Sequence, residues 1–320
     1  MRKLGLIGLA LACTISAAAA EYPDHTIRFI VPQAPGSNSD IYARVIGAEM
    51  GKSLGQNLIV ENRPGGAFAI GLDAIAKSPP DGYTIGVGLI GGMALTPHMV
   101  AKLPYDVLKD FEPVGMIGRG HLMLIVSPQL PVKSVKELID YAKANPGKLS
   151  AASSANGSPG HIGLELFKSL TGAQITHVPY RGGAGAINDL IAGRVDLMFE
   201  GLASVTPFVR DNRVRALAVS GPARSPGFPD LPTIAEAGVP GYVAVTWLGV
   251  VSPAKTPRPV IDRLNRAVND ALKSPLMVER FKLIGEDAAP GTPEDYAAVI
   301  KTDFTKWKDV IERAGIKLSE

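Results

Sequence analysis

The sequence predicts an α/β protein of two domains with a cleft between them, and three observations carry that expectation. Removing a 20-residue leader from the 320-residue chain leaves 300 residues, more than one compact core usually holds. A strand, loop, helix, strand order runs from the start of the mature chain and restarts near residue 122, the grammar of mostly parallel sheets flanked by helices. The C-terminal third supplies too few strands for a sheet of its own, so it is expected to pack back onto the first domain.

The leader comes first. Met1, Arg2 and Lys3 give a positive start, Leu4 to Leu11 an apolar stretch broken by Gly5 and Gly8, and Ala18, Ala19 and Ala20 small residues at a cleavage point. That pattern is a secretory signal peptide cut after about Ala20, too short and too glycine-interrupted for a membrane anchor. Ala10-Leu-Ala-Cys13 loosely matches a lipidation box, but the box prefers a larger aliphatic at its start and the alanine site is clean, which favours a soluble product. Cys13 is the only cysteine, so the mature chain rests on packing and not on disulfides.

Thr26 to Val31 is a short β-rich run that ends at Pro32 and empties into a loop of small residues, Gln33 to Ser39. Ile41, Tyr42, Val45, Ile46 and Ala48 then repeat at helical spacing up to Gly55, a natural C-cap. Asn57 to Glu61 reads as a strand, Ala67 to Lys77 as a helix and Tyr83 to Ile90 as a buried strand. The second block opens with a strand at Leu122 to Val126. Ser134 then starts a helix with Glu137 three residues on, a capping box, and Pro146-Gly147 closes it. Leu149 to Ala152 is a strand, Pro159 to Leu170 a helix, and Ile175 to Val178, Gly185 to Ala192, Val195 to Phe199 and Val214 to Val219 continue the alternation.

Val245 to Val251 is one further strand. Val260, Leu264, Ala267, Val268 and Ala271 mark an amphipathic helix entered through Pro257 and Pro259, and Thr292-Pro293 opens a terminal helix. The first domain is therefore expected over residues 21–121 with 221–320, and the second over 122–220. A chain that crosses between domains twice makes a hinge and leaves a cleft.

Charge excludes one class of partner. Lys and Arg number 33 against 30 Asp and Glu, and the loss of Arg2 and Lys3 with the leader leaves 31 to 30, no basis for binding nucleic acid or an anionic membrane surface. The histidines (His25, His98, His121, His161 and His177) are scattered without metal-ligand spacing, so no metal is expected. No Walker A run occurs and Gly183-Ala-Gly185 lacks the third glycine of a dinucleotide fingerprint, so no cofactor is expected either. Asn156-Gly-Ser158-Pro-Gly160 faintly matches a nucleophile elbow, but its first glycine is missing and the proline after Ser158 cannot supply an oxyanion-hole N–H.

What the chain does offer is a pair of strand-to-helix turns built from small residues, Pro35-Gly-Ser-Asn-Ser-Asp40 and Ser154-Ala-Asn-Gly-Ser158. Each exposes the unpaired N–H groups of a first helical turn to an approaching anion. Either turn alone reads more simply as a capped helix, with Ser37, Asn38 and Ser158 as caps. Facing each other across a cleft, they make an anion site. A micromolar ligand needs about 8 kcal/mol net. Charge-assisted hydrogen bonds contribute roughly 1.5–3 kcal/mol each, so one turn is not enough and both domains must close on the ligand.

A set of ordered motifs narrows the reading. Val31-Pro-Gln-Ala-Pro-Gly-Ser-Asn-Ser-Asp-Ile-Tyr-Ala-Arg44, Glu61-Asn-Arg-Pro-Gly-Gly66, Pro80-Asp-Gly-Tyr-Thr84, Leu103-Pro-Tyr-Asp106, His177-Val-Pro-Tyr-Arg-Gly-Gly183 and Leu231-Pro-Thr-Ile-Ala-Glu236 appear in that order over essentially the whole mature chain. Together they resemble the Bug family, the substrate-binding proteins of tripartite tricarboxylate transporters. The resemblance implies a two-domain periplasmic binding protein fold, type II-like. It also implies a periplasmic location, a carboxylate ligand held by main-chain N–H groups near the loop Ala34 to Ser39, and membrane transporter subunits as partners. Two departures are visible: Ser37-Asn38 where relatives commonly carry a glycine pair, and Phe68 in a stretch that is usually small.

The expected ligand-binding residues are Ser37, Asn38, Ala67, Gly157, Ser158 and Arg181, with Glu200 as a specificity contact suited to a ligand with an amino group or, equally, a surface acid. Arg181 reads either as a partner for a distal carboxylate or as a solvated loop residue. Asp40 reads as a structural cap, since an acid in a first helical turn suits the helix dipole but repels a bound carboxylate. His161 reads as packing for its turn, and Trp247 as core or cleft wall. The whole is expected to act as a monomeric, non-catalytic receptor that captures a small carboxylate, an organic acid or acidic amino acid. The rival readings are a receptor serving a sensor and an exported serine hydrolase.

Overall fold

A computed structural model of the chain describes residues 22–314 and residue 317. The signal-peptide and Cys13 expectations fall on residues 1–20, outside that range. The N-terminal block comprises β1 (Ile27–Val31), α1 (Asn38–Leu54), β2 (Leu58–Asn62), α2 (Ala69–Ala76), β3 (Thr84–Leu89) and β4 (Phe111–Val126). The middle comprises α3 (Val135–Ala144), β5 (Leu149–Ser153), α4 (Pro159–Thr171), β6 (Ile175–Pro179), α5 (Gly183–Ile191), β7 (Leu197–Gly201), α6 (Leu202–Arg210) and β8 (Arg215–Val219). The last third adds β9 (Val245–Pro253), α7 (Arg258–Leu272), α8 (Pro275–Ile284), the short β10 (Asp287–Ala288) and α9 (Pro293–Ala314).

Local chemistry explains the boundaries. α1 begins at Ser37, whose hydroxyl accepts the Asp40 N–H at 3.4 Å, and ends at Gly55 in the left-handed region with φ 73°. Ser134 caps α3 by accepting the Glu137 N–H at 3.1 Å, while the Glu137 carboxylate reaches back to the Lys133 N–H at 2.7 Å. α7 buries Ile261, Leu264, Ala267, Val268 and Ala271, the stripe its spacing predicts.

β4 organises the molecule. Its first eleven residues pair with β9 in a first lobe of order β2-β1-β3-β9-β4, and its last five pair with β7 and β8 in a second lobe of order β8-β4-β7-β5-β6. The outer strands are parallel, as the alternation predicts, with Phe29 level with Val60 and Ile85. β9 and β4 run antiparallel to their neighbours, so the middle of the assembly is mixed. Side chains alternate along the crossing half of β4: Leu122, Leu124 and Val126 enter a core with α3 and α4, while Met123 and Ile125 enter the core that continues into the first lobe.

The chain crosses between lobes at His121–Leu122 and returns at Ala244–Val245, where β4 and β9 are still paired. Beyond residue 221, Ile234, Val239, Tyr242 and Ala244 are buried in the second core. One serine ties both crossings. Ser220, fully buried, accepts the Leu122 N–H at 2.7 Å and donates its hydroxyl to the Ala244 carbonyl.

Candidate functional site

Three helix starts converge between the lobes. The β1–α1 turn is shaped by Gly36, with φ 77°, whose N–H is donated to Asp40 Oδ2 at 2.8 Å. Ser37 turns its hydroxyl inward as a cap, which leaves the first-turn N–H groups of Asn38 and Ser39 without an intrahelical acceptor. In the second lobe, Ser158 caps α4 by accepting the His161 N–H at 3.3 Å, Pro159 has no N–H, and Gly160 is the first free donor. Gly160 is sterically required: a Cβ there would lie 2.2 Å from the Phe199 carbonyl oxygen. α6 starts at Gly201, directly after Glu200.

Asn38, Ser39, Gly160, Glu200, Gly201 and Trp247 line an inner cavity of about 40 Å³. An outer cavity of about 250 Å³, lined by Ala34, Ala67, Phe68, Asn156, Tyr180 and Arg181, continues it toward solvent, and Gln33 and Ser154 border both. The lobes meet at small residues. A Cβ on Gly182 would sit 2.5 Å from the Ala34 Cβ, and one on Gly201 would sit 2.7 Å from Asn38 Cγ.

The electrostatics of this space have two parts. The converging helix starts bring positive potential, which suits an anion. Against that, Glu200 is buried with one carboxylate oxygen taking the Gly201 N–H at 2.9 Å and the other, Oε2, without any partner. Burial pushes its carboxyl up to about 7. Asp40 stays outside the cavity. Burial pushes its carboxyl up, but hydrogen bonds from Arg44, the Gly36 N–H and Asn62 outweigh that and hold it below the usual range. It is the loop brace that its position in the first turn predicts.

Of the expected site residues, Asn38 and Glu200 line the inner cavity and Ala67 and Arg181 the outer one, with Arg181 exposed. Ser37, Gly157 and Ser158 lie behind the surface and hold the turns instead of lining either cavity. Gly157, with φ 72°, donates its N–H to His161 Nδ1 at 3.1 Å. The His161 ring stacks on His177 at 3.8 Å between centroids, and His177 Nε2 meets Ser153 Oγ at 2.7 Å. Burial pushes both imidazoles down to about 4, so the pair is neutral and fixes the loop. Trp247 is both core and wall: it donates Nε1–H to Asp303 at 2.6 Å and borders the inner cavity. Phe68 packs its ring over Gly91, where a Cβ would lie 2.7 Å from a ring carbon, and a Cβ on Gly92 would lie 2.4 Å from Leu72 Cδ1.

Sequence reasoning missed Gln33, Ser39, Ser154, Gly160 and Thr246. Ser39 and Gly160 were findable, because a cap points its side chain into the helix and leaves the N–H two positions on facing out.

Residues 42–316 match a family described as "Tripartite tricarboxylate transporter family receptor". The chain belongs to that family. It is accordingly a solute-binding receptor with the periplasmic binding protein fold its ordered motifs imply. Protein BugT of Bordetella pertussis is 39% identical over 325 residues, covering 99% of this chain and 98% of its own length. The R. palustris protein Rpa4515 with adipate superposes with a TM-score of 0.90 at 38% identity, covering 93% of this chain and 99% of that one. MatC from Rhodopseudomonas palustris with bound malate gives a TM-score of 0.86 at 32% identity, covering 91% and 100% of the two chains. Among the described residues no cluster of three or more metal-ligating side chains occurs, and no helix is long and apolar enough to cross a membrane.

Proposed function

We propose that this receptor works in the periplasm, closes its lobes on one small carboxylate, and presents it to the membrane subunits of a tripartite tricarboxylate-type transporter. The observation that carries the proposal is the convergence of α1 from one lobe and α4 from the other on one cavity, with Asn38, Ser39 and Gly160 offering first-turn N–H groups. Both similar structures with named ligands hold dicarboxylates, adipate and malate, which supports the ligand class.

In this reading the ligand carboxylate sits on the helix starts, Ala67 and Arg181 border its outer end, and Glu200 meets it from the side. Ser37, Gly157 and Ser158 act at one remove, by holding the turns. Closure excludes water from these bonds, which is what makes main-chain donors sufficient without a buried cation. One chain supplies both faces of the cleft, so a monomer suffices. Cleavage near Ala20 would release it from the export signal.

The same reading assigns no catalysis: Ser158 Oγ caps α4 and the His161 ring is committed to the Gly157 N–H. Turnover of a simple ester that disappears in Ser158→Ala would overturn that part. For binding, the test is calorimetric and thermal titration of ligand-stripped protein against a panel of organic and amino acids. A ligand at a hundred times its Kd should add about 2.7 kcal/mol to the unfolding free energy. If no acid stabilises the protein, the proposal fails.

A further inference from the structure

The inner cavity contains something that a receptor for plain carboxylates does not need. Glu200 is the penultimate residue of β7, with only 6% of its surface exposed. Its Oε1 accepts the Gly201 N–H at 2.9 Å. Oε2 is buried without a partner and borders the cavity from the second lobe. Asn38 Oδ1, reaching the same cavity from the first lobe, is also buried and unpartnered. The Asn38 amide can turn to present its NH₂ instead, whereas an ionised carboxylate has no such freedom, so Glu200 in its ionised form decides the matter.

Among the described residues no group is hydrogen-bonded to that oxygen. The residue packed on it from α5 is Gly183, where a Cβ would lie 3.1 Å from Oε2, so no side chain reaches in from that helix start. Buried polar atoms are nearly always paired, and an orphan at the wall of a binding cavity is an acceptor held for something that enters it. A carboxylate on the neighbouring helix starts would face the ionised form of Glu200 as like charge against like charge.

We infer that Glu200 selects the ligand, requiring a hydrogen-bond donor, an ammonium or a hydroxyl group, on the carbon chain beside the carboxylate that the helix starts hold. The inference rests on the receptor reading above and narrows it to amino acids and hydroxy acids. A plain acid of equal length leaves Oε2 unpaired and places its own negative charge nearby. A site built around such an acceptor rejects the analogue that lacks the donor, because the buried oxygen is then desolvated for nothing.

The test is calorimetric titration of the ligand-stripped protein above pH 8, where the Glu200 carboxyl is ionised, with trios matched in length and differing at one carbon: succinate, malate and aspartate; glutarate, hydroxyglutarate and glutamate; propionate, lactate and alanine. In whichever trio binds, a donor-bearing member should bind at least about tenfold more tightly than the plain acid. In Glu200→Gln that ratio should fall to within about threefold, because the amide can also donate to a plain acid. Equal affinity within the trio overturns the inference and leaves the receptor reading intact, and so does a preference that survives Glu200→Gln. Absence of saturable binding by every acid overturns both. The trio comparison needs only the wild-type protein, so a variant that fails to fold does not remove the test.

Discussion

Gly201→Ala should weaken ligand binding without unfolding the protein, because it places a methyl group where one lobe meets the other. Gly201 sits at φ −59° and ψ 139°, a conformation alanine adopts freely, so the backbone stores no strain. The new Cβ would lie 2.7 Å from Asn38 Cγ, 2.9 Å from its Oδ1 and 3.1 Å from its Cβ. Carbon atoms prefer about 3.5–4.0 Å, so Asn38 must turn away or the lobes must stay apart. Overpacking of this size costs roughly 1–3 kcal/mol, which converts to an affinity about 5–150-fold weaker. Alanine is a poorer helix cap than glycine, which limits the loss of folding stability to about 1 kcal/mol. Calorimetry measures the first effect, denaturant unfolding of the free protein the second, and small-angle scattering with and without ligand reports whether the lobes close. An unchanged Kd with normal closure would refute the reasoning. A loss of folding stability that matches the loss of affinity would show that the lobes are already locked together without ligand.

Other perturbations probe the supports of the site. Ser220→Ala leaves the buried Leu122 N–H and Ala244 carbonyl without their hydroxyl partner, and urea unfolding should show a loss of about 1–3 kcal/mol. Asp40→Ala removes the brace on Gly36, Arg44 and Asn62; it should weaken binding of any acid by severalfold through a loosened Ala34–Ser39 loop, and equal affinities would contradict this. Glu286 is buried beside Gly120 near the crossing and hydrogen-bonded to Tyr42, with its carboxyl pushed up to about 7 by burial and by Asp287. A carboxyl whose folded pKa lies above its unfolded value favours the folded state at low pH and loses that contribution as pH rises through about 7, here roughly 3 kcal/mol. Glu200 has the same sign, while His161 and His177, pushed down to about 4, have the opposite one, so wild-type stability alone conceals the effect. Glu286→Gln should therefore gain stability relative to wild type between pH 5 and 8, and a constant difference would refute the assignment.

Most of the fold was legible because its strands and helices obey their own periods. The first half of β4 was not: Pro113, Gly115, Gly118 and Gly120 argue against a central strand, and the register shifts at Pro113/Gly115 and Met116/Gly118 show how bulges accommodate them. α6 was hidden by Pro207 in its interior. Beyond residue 221 no sequence pattern records that Tyr242 is buried in the second core and donates its hydroxyl to the Gly163 carbonyl at 2.9 Å.

At the site, the two small-residue turns were legible and their inner details were not. Capping chemistry identifies Ser37 and Ser158, yet the same chemistry turns their side chains away from the cavity and hands the contact to Ser39 and Gly160. Glu200 stood as an even choice between surface acid and ligand contact, because its burial depends on Gly183 and Gly201 packing beside it, which no local pattern records.

The central claim is that main-chain N–H groups from opposed helix starts hold the ligand. Its most direct measurement is a crystal structure with the tightest-binding acid of the panel. The account predicts carboxylate oxygens about 2.7–3.2 Å from the N–H groups of Asn38 or Ser39 on one side and Gly160 on the other. A carboxylate seated on Arg181 with those helix starts unused, or bound outside the cleft, would contradict it.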